Sequence, residues 1–202
     1  MATSVTIGFR PYLYSKQLFL SLTNYDIQPL LVLCQEGNQL AQLEVYNRYQ
    51  RAMFNVSKRI VKDSALAEDV MQESFIAAFQ KLDSFRGTAT FGSWLKRIVI
   101  NNSLVMYKRE SKFLSMEDDH LSETADVEVT PSEATSKNIH SQHLISALES
   151  LHDRYRTILT LHFIEGYDYE ELCDILEISY ANCRTLISRA KDSLRKKLKV
   201  AS

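Results

Sequence analysis

Residues 168–199 read DYEELCDILEISYANCRTLISRAKDSLRKKLK, and this stretch decides the fold class. Asp168 followed by Glu171 is a capping-box pattern: each side chain satisfies a backbone N–H, opening a short helix that runs to Leu176. Glu177-Ile178-Ser179 is a tight turn, and Ser179 caps a long basic helix from Tyr180 to about Leu198. Ile178, Cys183, Leu186, Ile187, Ala190 and Leu194 recur at helical spacing and take the packing role. A short helix, a tight turn and a longer basic helix make a helix-turn-helix, whose second helix lays its early residues in a DNA major groove. Those residues are Tyr180, Asn182, Arg184, Thr185, Ser188 and Arg189, followed by Lys191. Arginine, asparagine and hydroxyl groups reach base edges and phosphates. The competing reading is an αα-hairpin in a plain bundle, which leaves unexplained why the basic face coincides with the groove-facing side.

Upstream, the periodicity stays helical. Ile139 to Leu151 predicts a helix with Leu144, Ile145, Leu148 and Leu151 inward. Asp153 starts another, with Tyr155, Ile158, Leu159, His162 and Phe163 on one side and Gly166 just past its end. In the first half, Gly37 separates a short helix near 28–35 from a longer one near 38–61. Asp63 or Ser64 then caps a helix running to about Lys81, with Leu66, Val70, Met71, Phe75, Ala78, Phe79 and Leu82 as its buried stripe. Asp69, Gln72, Glu73 and Gln80 share another face, either an ordinary wet surface or an acidic and amide patch for a partner. Ser84–Thr90 breaks the period. A third helix follows from Phe91 to about Arg109, with Phe91, Trp94, Leu95, Ile98, Val99 and Met106 toward the core. Lys96, Arg97, Asn101, Lys108 and Arg109 are left outward. Phe85, Phe91 and Trp94 border this basic stretch, the pairing that unstacked nucleotides need, although Trp94 fits a core position better than a stacking platform.

These helices fall into two blocks. Between Ser115 and Pro131 lie Glu117, Asp118, Asp119, Glu123, Asp126 and Glu128 with no Lys or Arg, which predicts a solvated acidic linker over about 113–137. Lys81–Arg109 carries six bases against Asp83, and Arg184–Lys199 seven against Asp192. The chain as a whole has 24 bases, 25 acids and a net charge of −1, so its totals hide this segregation. With 202 residues, 45% apolar content, 5 Gly and 3 Pro, the chain is long enough for two small cores and too poor in turns for a β-sandwich. The expectation is an all-α protein: an N-terminal extension (1–27), a helical domain (28–112), the linker, and a helix-turn-helix domain (138–202).

Enzyme chemistry finds no support. His140, His143 and His152 lack a Cys or carboxylate at metal-ligand spacing, and neither a glycine-rich phosphate loop nor a G-x-S-x-G elbow occurs. No catalytic residue, metal, cofactor or small-molecule substrate is therefore expected. Cys34, Cys173 and Cys183 form no C-x-x-C pair and fit a reducing cytoplasm, with Cys173 and Cys183 as small buried hydrophobes. The first residues lack the pattern of a signal peptide.

The order of elements resembles an extracytoplasmic-function (ECF) sigma factor of the sigma-70 family. AEDVMQESFIAAFQKLDSFRG (67–87) is similar to the family's polymerase-binding helix, FGSWLKRIVIN (91–101) to its promoter-melting segment, and LESLHDRYRTILTLHFIEGYDYEELCDIL (148–176) with SRAK (188–191) to its second domain. The resemblance implies that Asp69, Gln72 and Glu73 bind core RNA polymerase. Phe85, Arg86, Thr88, Lys96, Arg97, Asn101, Lys108 and Arg109 would hold the −10 element of promoter DNA. Tyr180, Asn182, Arg184, Thr185, Ser188, Arg189 and Lys191 would sit on the −35 duplex. It also brings a membrane-bound anti-sigma factor into view as a partner. Val105 stands where the family often has Asp, Leu186 where many members have Arg, and Glu177 where the turn usually has Gly. A left-handed Glu177 would cost on the order of 1 kcal/mol. A stand-alone helix-turn-helix regulator is the alternative, and the Asp69/Gln72/Glu73 face separates the two.

Overall fold

The computed structural model describes residues 22–117 and 136–200, and all the regular structure among them is helical. The chain divides into two compact units at Ser111/Lys112.

The first unit contains α1 (Ile27–Gln35), α2 (Gln39–Val61), α3 (Ser64–Gln80), a 3-10 turn (Leu82–Ser84) and α4 (Phe91–Glu117). Local chemistry sets its boundaries. Gly37, at φ 81°, ends α1, and the Asn38 side chain accepts from the Leu40 and Ala41 N–H groups at 3.0 Å to start α2. Lys62 turns left-handed at φ 67°, and Asp63 then accepts from Leu66 N at 2.8 Å to start α3. Leu30, Val45, Ile60, Leu82, Phe91, Leu95 and Ile100 form the fully buried centre. Of the expected α3 stripe, Val70, Met71, Phe75, Ala78 and Leu82 are buried, while Leu66 and Phe79 are half-buried.

Two features depart from simple periodicity. A hydroxyl seam runs through the helix contacts. Ser74 Oγ donates to Val70 O at 2.6 Å and accepts from Asn102 Nδ2 at 2.9 Å. Ser103 Oγ lies 2.7 Å from Val99 O and 3.1 Å from Ser57 Oγ, and all three serines are fully buried. Small hydroxyls that return their proton to the helix backbone can be buried without penalty, so a polar letter hid an interior position. The second feature is Glu44, 5% exposed, held by Arg48 at 2.7 Å. The same guanidinium donates to the carbonyls of Leu22, Thr23 and Tyr25 at 2.8–3.0 Å, fastening the end of the N-terminal extension to α2.

Helix α4 runs to Glu117, past the expected end near Arg109, because no Gly or Pro interrupts residues 101–117. The remainder of the acidic linker, 118–135, lies outside the described residues, as do residues 1–21.

The second unit contains α5 (Ser136–Glu149), α6 (Asp153–Leu159) continuing into a π-turn (Thr160–Ile164), α7 (Tyr169–Leu176) and α8 (Tyr180–Val200). Leu159, Leu161, Leu172, Cys183, Ile187 and Ala190 are central to its core. The capping box is present: Asp168 accepts from Glu171 N at 2.8 Å, and Glu171 accepts from Asp168 N at 2.9 Å. Two expected faces are corrected. Phe163 is 59% exposed, because the Glu165 N–H reaches back five residues to Thr160 O at 3.0 Å, and this wide turn shifts the register so that Leu161 goes inside. Leu144 and Ile145 are also exposed, since α5 turns Ala147 inward and Leu151, just past its end, is buried.

Glu177 is left-handed, at φ 55° and ψ 46°, in the turn between α7 and α8. Glu177→Gly is therefore expected to stabilise the protein by about 0.5–1 kcal/mol, after the added chain entropy of glycine. Calorimetry of the second unit's transition should show a rise of a few degrees, and an unchanged or lower midpoint would contradict the strain.

Candidate functional site

Three surfaces emerge, two on the first unit and one on the second. On α3, Asp69, Gln72 and Glu73 are all exposed, and Gln72 Nε2 donates to Glu68 Oε1 at 3.3 Å, adding a third carboxylate to the face. This polar ridge borders a shallow groove of about 380 Å³ between α2 and α3, walled by Leu43, Tyr46, Phe75, Ile76 and Phe79 and reaching Gln72. Leu43 is 46% and Ile76 59% exposed. Neither residue stands out in the sequence as part of a docking surface. Their signal was an isoleucine on the polar side of α3, three and four residues beyond Glu73 and Gln72.

The second surface is built on α4 and the loop before it. Thr90 Oγ1 accepts from Ser93 N at 3.2 Å, starting α4 directly after the loop. Phe91 is buried edge-on against Tyr49, with ring centroids 5.4 Å apart. A Cβ at Gly92 would meet Tyr49 Cε1 at 3.0 Å, so glycine permits this close approach. Phe85 packs on Phe91 at 5.8 Å and on Trp94 at 5.3 Å. Phe91 is thus committed to the core, while Phe85 and Trp94 are half-buried and keep part of each ring accessible. Arg86 and Thr88 are exposed beside Gly87, which adopts φ 69°. Along α4, helical spacing places Arg97, Asn101 and Lys108 in one line, with Lys96 and Arg109 on either side of it. Lys96 and Arg97 are half-buried and the other three exposed. Val105, 50% exposed, is an apolar interruption close to that line.

The third surface is a groove of about 420 Å³ between α8 and the start of α6. Asn182, Thr185 and Arg189 form one wall, and His152, Arg154 and Tyr155 the other. His152 Nδ1 accepts from Arg154 N at 3.4 Å, which sets the ring at the mouth of the groove. Arg184 and Ser188 are exposed on the outer side of α8, whereas Tyr180 rests near Tyr169 with centroids 6.0 Å apart. Lys191 is turned to the other flank, its Nζ 5.1 Å from the Phe163 ring centroid. The expected −35 set is therefore divided. Arg154 and His152 were missed, because no local pattern connects the start of α6 to α8.

Comparison with known proteins places these surfaces. Residues 45–113 match the family model described as Sigma-70 region 2, and residues 141–194 match Sigma-70, region 4. The RNA polymerase sigma-H factor of Pseudomonas aeruginosa is 31% identical over 190 residues, covering 88% of this chain and 96% of that protein. The chain belongs to the ECF sigma factors of the sigma-70 family. The ECF RNA polymerase sigma-E factor of Salmonella typhimurium is 32% identical over 179 residues, covering 85% of this sigma factor and 93% of the relative. Sigma factor RpoE of Bartonella quintana, solved with the anti-sigma factor NepR, shares the fold with a TM-score of 0.55 at 21% identity, covering 79% of this chain and 97% of its own. The α3 ridge and the α4 surface thus fall in region 2, and the α6/α8 groove in region 4. As a sigma factor the protein directs transcription initiation by RNA polymerase. With both regions present in order, a stand-alone regulator is not favoured. Among the described residues no helix is long and apolar enough to cross a membrane.

Proposed function

We propose a division of labour among the three surfaces. The α3 ridge and its apolar groove dock on core RNA polymerase. The surface of Phe85, Arg86, Thr88, Arg97, Asn101 and Lys108 holds the −10 element, with Lys96 and Arg109 at its edges. The α6/α8 groove grips the −35 duplex. The observation that carries this reading is that each unit presents its own cationic surface while Glu68, Asp69 and Glu73 lie exposed together on α3. Two modest DNA contacts on one chain reinforce each other through effective concentration, so neither need be tight alone. The anti-sigma complex of the Bartonella relative supports a protein partner of that class for this sigma factor as well. The residue assignments fit a cytoplasmic protein that exchanges between polymerase and such a partner.

The test is reconstitution with core polymerase on genomic DNA, followed by mapping of transcript 5′ ends. Transcripts should share two upstream elements. Random starts, or none above core enzyme alone, would sink the proposal.

The region 4 groove makes a sharper prediction. Arg154→Ala is expected to weaken holoenzyme binding to a promoter fragment about tenfold, evenly across −35 sequences, and to reduce the salt slope by about one unit. Lys191→Ala, on the far flank, should change affinity less than about twofold, as a rim cation does at most. Equal losses from both substitutions would mean that the groove does not organise the contact.

A further inference from the structure

We propose that His152 is a proton-linked phosphate contact of the α6/α8 groove, so that the grip on promoter DNA tightens as pH falls. The inference rests on the reading of that groove as the −35 site and adds a control to it. His152 and Arg154 stand on one wall of the groove and Arg189 on the other, and all three side chains are exposed. The site is built from side chains of two helices, not from the end of either. Within it the His152 ring is oriented. The backbone N–H of Arg154 donates to Nδ1 at 3.4 Å, so Nδ1 presents its lone pair and the neutral ring carries its proton on Nε2. The Tyr155 ring stands edge-on beside it, with centroids 6.1 Å apart and planes at 66°. Nε2–H is the donor that the ring can offer to a phosphate oxygen.

The surrounding charges decide the sign. Arg154 and Tyr155 face the groove from the same wall as His152, and Arg189 faces it from α8. Asp153, next in sequence, has its Oδ1 3.2 Å from Nη2 of the buried Arg156. Among the described residues that line the groove none is a carboxylate, so the counter-charge for a protonated His152 comes from the DNA. A phosphate oxygen bonds an imidazolium about twice as strongly as a neutral ring. Histidine gains its charge between about pH 8 and 5. By linkage, a proton that strengthens DNA binding is held more firmly in the complex, and affinity rises as pH falls through that range. Protonation of Nδ1 gives up only the long, weak bond from Arg154 N.

The experiment compares holoenzymes assembled with the full-length wild-type chain and with His152→Asn on one labelled promoter fragment. Anisotropy is read at about pH 6 and about pH 8, each over a range of salt. Asparagine keeps a capping acceptor for α6 but does not titrate, and thermal melting is expected to show the same fold. From alkaline to acid pH the wild type is expected to gain about 3–10-fold in affinity beyond any gain of His152→Asn, which carries the titration of every other group. The wild-type salt slope should steepen by up to about one unit at acid pH, because one more phosphate is neutralised, while the slope of the variant stays fixed. A histidine that serves only as a cap moves neither readout. Equal pH responses and equal salt slopes in the two holoenzymes would overturn the proposal. Arg154→Ala, measured alongside, separates the causes. If it loses affinity at both pH values in that case, the groove stays on the −35 duplex and only the role of His152 falls. If it loses none, the groove assignment and the proposal fall together.

Discussion

Reversing charge at Asp69 and Glu73 together, as D69K/E73K, is expected to weaken binding to core RNA polymerase at least about 100-fold. Both side chains are exposed, so neither substitution opens a cavity or strands a buried group. Surface changes of this kind usually shift stability by no more than about 0.5 kcal/mol. At an interface the balance differs, because like charges brought together cost several kcal/mol and each 1.4 kcal/mol is about tenfold in affinity. Fluorescence anisotropy with labelled sigma factor at fixed salt would measure the loss, and thermal melting would confirm the fold. A folded variant that binds core enzyme normally would remove α3 from the interface. The apolar groove gives an independent check. Ile76→Ser should lower core affinity while leaving stability nearly unchanged, because Ile76 contributes little to its own core.

Arg48→Met is expected to destabilise the protein by about 3–5 kcal/mol, a large part of the margin of a small domain. The loss does not measure the attraction of the ion pair. Removing Arg48 leaves Glu44, 5% exposed, without its counter-charge, and releases the three carbonyls of Leu22, Thr23 and Tyr25. The double variant E44Q/R48M eliminates the stranded charge and should recover part of the stability. Urea denaturation of the four proteins forms a double-mutant cycle. If R48M alone unfolded at the wild-type midpoint, Glu44 would have another means of relief.

Much of the protein was legible in its letters. The capping box at Asp168 and Glu171, the Asp63 cap, and the glycines at 37 and 166 marked helix ends that the structure reproduces. Family motifs in register identified the family. Failures clustered where the local winding of the backbone or the side covered by a neighbouring helix decides a residue's environment. Phe163 was read inward because regular periodicity carries no sign of a π-turn. Ser74 and Ser103 do not show as interior in the sequence, because hydroxyls look polar until a carbonyl one turn back takes their proton, and Ser57 is buried as the acceptor of the Ser103 hydroxyl. Leu144 and Ile145 were assigned by hydropathy, although α5 meets its neighbours along another line.

By itself, then, the sequence determined the helices, most of their caps, the tight turn at 177–179 and the family, because these depend on contacts within about one helical turn or on motifs in fixed order. Only the tertiary structure decided that Leu43 and Ile76 flank the acidic ridge, that Arg154 and His152 join α8 in one groove, and that Lys191 faces away. Each of these requires helices far apart in the chain to approach at a particular angle, and that angle is set by side-chain packing, which hydropathy periodicity does not encode.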